Sequence, residues 1–155
     1  MTGKPVWHKP LKPGEITTEV ALPCDASVGF IGHVETPWRT LADCPKSGGF
    51  DGPECRVILL SPWDQALRGI ERCATLDIVL WFHLARRDLL VINPPHAEAP
   101  RGVFSFRAPV RPNPVALSTV TLVAVAGNQV IVRGLEAVDG TPLIDIKPGR
   151  APQPA

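Results

Sequence analysis

Prolines and glycines recur along the whole chain and limit the length of any regular element that it can form. They account for 31 of the 155 residues, 18 prolines and 13 glycines. Because a proline inside a helix removes a backbone hydrogen bond and clashes with the preceding turn, this density favours short strands and turns and excludes a helical bundle. The hydrophobic fraction of 45% and the net charge of +1 indicate one soluble globular domain, and they exclude general disorder and a uniformly basic nucleic-acid binder.

The cysteines and the hydrophobic segments restrict the compartment and the kind of site. No two of the four cysteines, Cys24, Cys44, Cys55 and Cys73, form a CxxC pair, so we expect reduced thiols and no metal site. Residues 1–14 carry three lysines and no apolar run, and charged side chains interrupt the hydrophobic stretch 76–92. These features predict a cytoplasmic protein with no membrane contact.

Alternation of apolar and polar residues predicts about eight short strands. Ala126–Gln129 has the composition of a hairpin turn. Ser61-Pro62 favours the start of one short helix in the residues that follow Pro62. We therefore predict a mainly β fold, a single closed or nearly closed β-barrel with one short helix. The predicted organisation is a basic arm at 1–27, a barrel domain at 28–150 and a disordered tail at 151–155. The predicted strands lie at 30–35, 55–60, 76–85, 89–92, 102–106, 115–125, 130–132 and 143–146.

A proline-rich loop at 107–114 carries polar side chains that could bind a ligand. Three prolines stiffen this loop, which presents Arg107, Arg111 and Asn113. A stiff loop with guanidinium groups suits recognition of a carboxylate or phosphate. The alternative is a solvated turn held by structural ion pairs.

Two further polar positions lie in apolar surroundings. Asp139 and Asp145 flank Leu143-Ile144 of the last predicted strand, with Lys147 beside the second carboxylate. They could act in proton transfer, or the segment could be an ordinary turn in which Asp145 pairs with Lys147. His83 lies in an apolar strand and is either a ligand contact or a hydrogen-bonded core residue.

Several motifs in a fixed order resemble one known family. Residues 28–148 are similar to the TrmO or YaeB-like family through IGHVETP at 31–37, GVFSFR at 102–107, RPNP at 111–114, DGTP at 139–142 and DIKP at 145–148. The resemblance implies a homodimeric β-barrel enzyme that transfers a methyl group from S-adenosyl-L-methionine to N6 of threonylcarbamoyladenosine 37 in tRNA. The cofactor site would lie near the dimer interface. The longer bacterial members carry an additional C-terminal domain that helps to hold tRNA.

The resemblance also implies roles for individual residues. From the chemistry of such a transfer we hypothesise that a carboxylate, Asp139 or Asp145, accepts the proton of N6, with Asn113 as a further catalytic residue and Arg111 and Lys147 as substrate contacts. Cofactor contacts would come from Gly48, Gly49, Phe50, His83, Leu84, Arg107, Leu117, Leu135 and Glu136. No metal is implied. The alternative function is a cofactor-binding barrel that acts on a small molecule or senses S-adenosyl-L-methionine, without activity on tRNA.

Overall fold

The structure, a computed structural model, describes residues 9–46 and 49–150, which fold into two compact units. The described part of the first unit comprises residues 9–27 and 82–115, and that of the second comprises 28–81 and 116–150. The sequence pattern places 82–115 in the barrel and 9–27 outside any core. In the structure these two segments instead fold together, because a strand within 9–27 pairs with a strand within 82–115.

The second unit is a closed antiparallel barrel. Its six strands are hydrogen-bonded in the order β2-β3-β8-β7-β4-β9, which confirms the predicted fold class. The hairpin between β7 and β8 turns at Gly127-Asn128, as predicted. The strands of the described residues are β1 (Ile16–Thr17), β2 (Gly32–Glu35), β3 (Glu54–Leu59), β4 (Thr75–Trp81), β5 (Leu89–Ile92), β6 (Arg101–Gly102), β7 (Val115–Ala126), β8 (Gln129–Arg133) and β9 (Pro142–Pro148).

Alternate residues of the strands fill the barrel. In β4, buried and partly exposed positions alternate without a break, so Leu76, Ile78 and Leu80 all point inward. This is the period of two that a strand imposes on its side chains. Val57 of β3 and Val132 of β8 are also fully buried. The outward side of β3 carries Glu54 and Arg56, two polar side chains of the site described below.

The first unit contains a small sheet in the order β1-β5-β6 and its own apolar cluster. Leu89, Ile92 and Val103 are buried there, with Phe106 and Val110 packed against them. The predicted strand at 102–106 is wrong beyond Gly102, because residues 103–105 form a 3₁₀ turn. The Ser105 hydroxyl donates to the Gly102 carbonyl across that turn, at 2.8 Å.

Two other predictions need correction. The strand predicted at 76–85 ends at Trp81, since the Ala85 N–H closes a turn onto the Phe82 carbonyl at 2.9 Å. The short helix predicted after Ser61 is present, but as a 3₁₀ helix at Trp63–Leu67. Only Leu67 of that helix is buried, whereas Trp63 is 52% exposed. Without a packed apolar face, a segment this short has little to stabilise a full α-helix.

Candidate functional site

An open cleft lies on the outer surface of the barrel where β2 ends. Its volume is about 570 Å³, which is within the range of small-molecule sites. The cleft contains Asp139, one of the predicted catalytic residues, together with side chains that the sequence did not single out. Its lining consists of Glu35, Thr36, Pro37, Arg39, Glu54, Arg56, Ile131 and Asp139.

Asp139 joins the end of β2 to the turn before β9. Its Oδ1 accepts a hydrogen bond from the Thr36 backbone N–H at 3.0 Å, and its Oδ2 accepts one from Arg39 Nη1 at 2.9 Å. The Thr36 hydroxyl donates to the Ala137 carbonyl at 2.8 Å. These hydrogen bonds join two motifs that lie about 100 residues apart in the sequence, ETP and DGTP. They also fix the orientation of the Asp139 carboxylate.

These contacts leave the Asp139 carboxylate with capacity for a further partner. An ionised carboxylate has about four lone-pair positions, of which the Thr36 N–H and the Arg39 guanidinium use two. The Asp139 side chain is partly exposed to the cleft. It could therefore accept a hydrogen bond from an incoming amine.

The second predicted catalytic carboxylate has a different environment. Asp145 lies on β9 opposite Val79 of β4 and forms an ion pair with Lys147. This pairing is the one that the turn interpretation of the sequence anticipated. Both side chains are well exposed, and neither lines the cleft that contains Asp139. The structure thus does not bring Asp139, Asp145 and Lys147 into one cleft.

The loop between β2 and β3, here called the early loop (residues 36–53), is held against the end of β8. Arg133 Nη1 donates to the Gly52 carbonyl at 2.9 Å, and its Nη2 donates to Glu54 at 2.7 Å. A Cβ atom on Gly134, where φ is +92°, would lie 3.4 Å from the Gly49 carbonyl oxygen and 3.5 Å from the Phe50 Cα. The glycine therefore permits the close approach of the two segments.

This approach brings several predicted cofactor contacts together. Gly49 and Phe50 come from the early loop, and Leu135 and Glu136 follow Gly134 directly. The Phe50 side chain is exposed. Leu135, in contrast, is fully buried and belongs to the core, so it supports its neighbours and presents no surface to a ligand. Gly48 lies outside the described residues.

Two thiols lie near this group. Burial and the negative charge of Glu136 raise the pKa of Cys44. Burial, with a smaller effect of Cys44, raises the pKa of Cys55 to about 11. Both thiols are therefore protonated at neutral pH and are poor nucleophiles.

The remaining predicted contacts lie mostly in the first unit. His83 and Arg107 are exposed there and Leu84 is partly buried, whereas Leu117 is exposed on β7 of the barrel. Asn113 is exposed, and its Oδ1 accepts a hydrogen bond from Arg87 Nη2 at 3.1 Å.

Arg111 has a role that the sequence did not indicate. Its Nη1 lies within hydrogen-bond distance of three backbone carbonyls, those of Phe106 at 2.7 Å, Val103 at 3.3 Å and Ala108 at 3.4 Å. The guanidinium carbon also lies 5.7 Å from the centre of the Phe104 ring. Arg111 therefore fastens the loop that carries Arg107, and these contacts occupy the group that the sequence assigned to substrate.

Sequence reasoning missed Arg39, Arg56 and Arg133. Arg56 lies on the outward side of β3, Arg133 ends β8 and Arg39 lies in the loop after β2, and isolated arginines at such positions carry no distinctive spacing. The only signal was the position of Arg39, two residues after the proline that ends the first barrel strand. Their importance comes from partners that are distant in the chain.

Metal-binding groups and membrane-spanning helices are both absent from the described residues. Among residues 9–46 and 49–150, no group of three or more His, Cys, Asp or Glu side chains is placed to hold a metal ion. Within the same ranges, no helix has the length and apolar character needed to cross a bilayer.

Comparison with known proteins gives consistent matches. The family model of the tRNA-methyltransferase O N-terminal domain matches residues 33–151. The chain is 42% identical over 141 residues to VirR of Rhizobium radiobacter, covering 91% of this chain and 81% of VirR. It is also 42% identical over 118 residues to a protein of Methanothermobacter thermautotrophicus, covering 76% of this chain and 85% of that protein. Both relatives are named as probable S-adenosyl-L-methionine-binding proteins.

A crystal structure of a protein named TrmO has a similar fold. TrmO from Pseudomonas aeruginosa superposes with a TM-score of 0.64 at 28% sequence identity, covering 81% of this chain. The matched region spans 56% of the solved TrmO chain.

Proposed function

Because the chain belongs to the tRNA-methyltransferase O N-terminal domain family, we propose that it transfers a methyl group from S-adenosyl-L-methionine to N6 of threonylcarbamoyladenosine 37 in tRNA. The observation that carries the proposal is the closed barrel in which the early loop meets residues 134–136, within the region that the family model matches. The names of VirR and its archaeal relative support the choice of cofactor.

The chemistry of the residues around Gly134 fits this cofactor. The exposed Phe50 ring offers a surface on which an adenine can stack, and the Glu136 carboxylate can accept hydrogen bonds from ribose hydroxyls. Gly134 lets the early loop approach closely, which places Gly49 and Phe50 beside residues 135–136. Arg107, exposed on the stiff loop of the first unit, suits the carboxylate of the methionine moiety.

The chain's own residues then have to position the acceptor and manage one proton. When bound, S-adenosyl-L-methionine supplies a methyl group activated by a positively charged sulfur. Transfer of such a group depends mainly on orientation, which the barrel and the early loop provide. The lone pair of an adenine N6 is delocalised, so its proton has to be accepted as the new bond forms. We assign this step to the Asp139 carboxylate, with Asp145 as the second candidate and Asn113 as a polar group that orients the acceptor.

Several finer features belong to the same proposal. We propose that the protein acts as a homodimer with the cofactor site near the dimer interface, and that it works on tRNA in the cytoplasm. Exposed Arg101 of the first unit is available for phosphates. Arg86 is not available, because Asp88 accepts hydrogen bonds from its Nε and Nη2, both at 2.7 Å.

A second candidate function has specific support. VirR and the archaeal relative are named for cofactor binding alone, and this chain covers most of each. A barrel that senses S-adenosyl-L-methionine or methylates a small molecule would need the same cofactor residues and no tRNA contact.

Calorimetric titration with S-adenosyl-L-methionine and S-adenosylhomocysteine is the first test. We expect binding by the wild type and weaker binding by Arg107→Ala and Phe50→Ala, whereas Arg72→Ala, an exposed arginine of the barrel unit, serves as the matched control. Absence of binding by the wild type would overturn both candidate functions.

Methyl transfer then separates the two candidates. The wild type is incubated with radiolabelled S-adenosyl-L-methionine and with tRNA that carries threonylcarbamoyladenosine but lacks the methyl group. Label in position 37 supports the first function. Cofactor binding without any label in tRNA supports the second.

A further inference from the structure

One nitrogen of the Arg39 guanidinium is hydrogen-bonded to Asp139, and the rest of the group is exposed in the cleft. Its side chain is 80% exposed, and its Nη1 donates to Asp139 Oδ2 at 2.9 Å. A guanidinium has five N–H donors in a planar fork. Among the described residues, Asp139 is its only hydrogen-bond partner, so most of the fork is available to a ligand while the carboxylate fixes its position.

Arg56 is a second guanidinium in the same cleft. It lies on the outward side of β3, opposite Glu35 of β2 and Ile131 of β8. The distance from its Nη1 to the Glu35 carboxylate is 3.7 Å, which is longer than a hydrogen bond. Its side chain is 59% exposed, and the described part of the chain offers it no hydrogen bond. The strand register fixes its backbone, but its donors are not committed.

The carboxylates of the cleft balance the charge of these two cations but leave guanidinium N–H donors open. Asp139 is engaged by Thr36 and Arg39, and Glu54 accepts a hydrogen bond from Arg133 at 2.7 Å. Glu35 forms the longer ion pair, with Arg56 at 3.7 Å. An anion that enters the cleft therefore meets open N–H donors of two guanidinium groups, each of which has one carboxylate beside it.

We propose that Arg39 and Arg56 bind an oxyanion of the acceptor substrate in this cleft. The identity of that substrate rests on the proposed function. Two groups of the acceptor have this chemistry, the carboxylate of the threonylcarbamoyl side chain and a phosphate of the RNA backbone. The cleft volume of about 570 Å³ accommodates a ligand of nucleoside size. Because Arg39 contacts Asp139 directly, an acceptor held there lies beside the carboxylate that we assign to proton transfer.

Equilibrium binding of RNA to the full chain tests the proposal. The wild type is compared with Arg39→Ala, Arg39→Lys, Arg56→Gln and the control Arg68→Ala, which removes one exposed positive charge of the same unit outside the cleft lining. Each protein is titrated with tRNA that carries the threonylcarbamoyl group and with the unmodified transcript. Thermal unfolding and calorimetry with S-adenosyl-L-methionine verify that each variant is folded and keeps its cofactor site.

We expect Arg39→Ala and Arg56→Gln each to weaken binding of the modified tRNA by about tenfold, whereas Arg68→Ala has little effect. Arg39→Lys should recover only part of the loss, because a lysine cannot reproduce the planar fork. A loss confined to the modified tRNA identifies the carboxylate as the ligand, and an equal loss for both RNAs identifies a phosphate.

Equal affinities of the wild type and both cleft variants would overturn the proposal, as would failure of the wild type to bind either RNA. These results are distinct from failure of the proposed function. Loss of S-adenosyl-L-methionine binding in the wild type rejects that function without changing the dependence of RNA binding on Arg39 and Arg56.

Discussion

Asp139 accepts a hydrogen bond from the backbone N–H of Thr36, although 103 positions separate the two residues in the chain. The bond closes the turn before β9 onto the end of β2, and it places the carboxylate within reach of Arg39. One side chain thus stabilises the barrel and presents a charged group to the cleft. For this reason, both the stability and the activity of each Asp139 variant should be measured.

Asp139→Asn should lower the rate of methyl transfer by at least about 100-fold, the lower limit of what a positioned general base contributes. The amide oxygen can still accept the Thr36 N–H, so the turn persists, but it cannot take the proton. Cofactor affinity should be unchanged by calorimetry. Asp25→Asn, an exposed aspartate of the first unit, is the control. Full activity of Asp139→Asn would show that this carboxylate is not the base.

Gly134→Leu should weaken S-adenosyl-L-methionine binding, because atoms beyond a Cβ at this position would collide with Gly49 and Phe50. Gly127→Leu is the matched control, since Gly127 also has a positive φ but no atom lies within 4 Å of the position that a Cβ would take there. Both variants should lose about 1–2 kcal/mol of unfolding free energy through backbone strain. Urea denaturation and calorimetry measure the two effects separately. Equal cofactor affinity in both variants would show that the early loop does not depend on this contact.

Arg111→Lys distinguishes the role of Arg111 in the loop from a role in substrate charge. The variant keeps the positive charge but cannot reproduce the guanidinium contacts with the Phe106, Val103 and Ala108 carbonyls. We expect faster hydrogen exchange at the Phe106 amide, which donates to the Val103 carbonyl at 3.2 Å, and weaker cofactor binding through Arg107. Unchanged exchange together with retained activity would favour the charge-based interpretation.

Cys55 should make stability fall with increasing pH in the alkaline range. Burial raises its pKa from 9.0 to about 11, so between these values the folded protein retains a proton that the unfolded chain has lost. The contribution is fully present below pH 9 and disappears as the pH rises towards 11. Urea denaturation at several pH values measures the slope, and Cys55→Ala should reduce it. An identical slope in the variant would show that Cys55 does not account for it.

Much of the barrel could be predicted from local patterns, because a strand with one buried side requires apolar residues at alternate positions and a hairpin requires its turn residues. The β7–β8 hairpin, the last strand and the ordered motifs of the family were all readable in this way. The position of the short helix could be predicted from the sequence, but its 3₁₀ geometry could not. That geometry reflects the lack of packing around Trp63.

The sequence by itself therefore determined the fold class, the family and the positions of most strands. Only the tertiary structure decided that residues 82–115 fold with 9–27, that Arg111 fastens its own loop, and that Asp139 joins Thr36 and Arg39 in a cleft with Arg56. The reason is physical. Apolar periodicity is a local property of the chain, whereas a hydrogen bond or ion pair between polar side chains depends on which distant segments the closed sheet brings together.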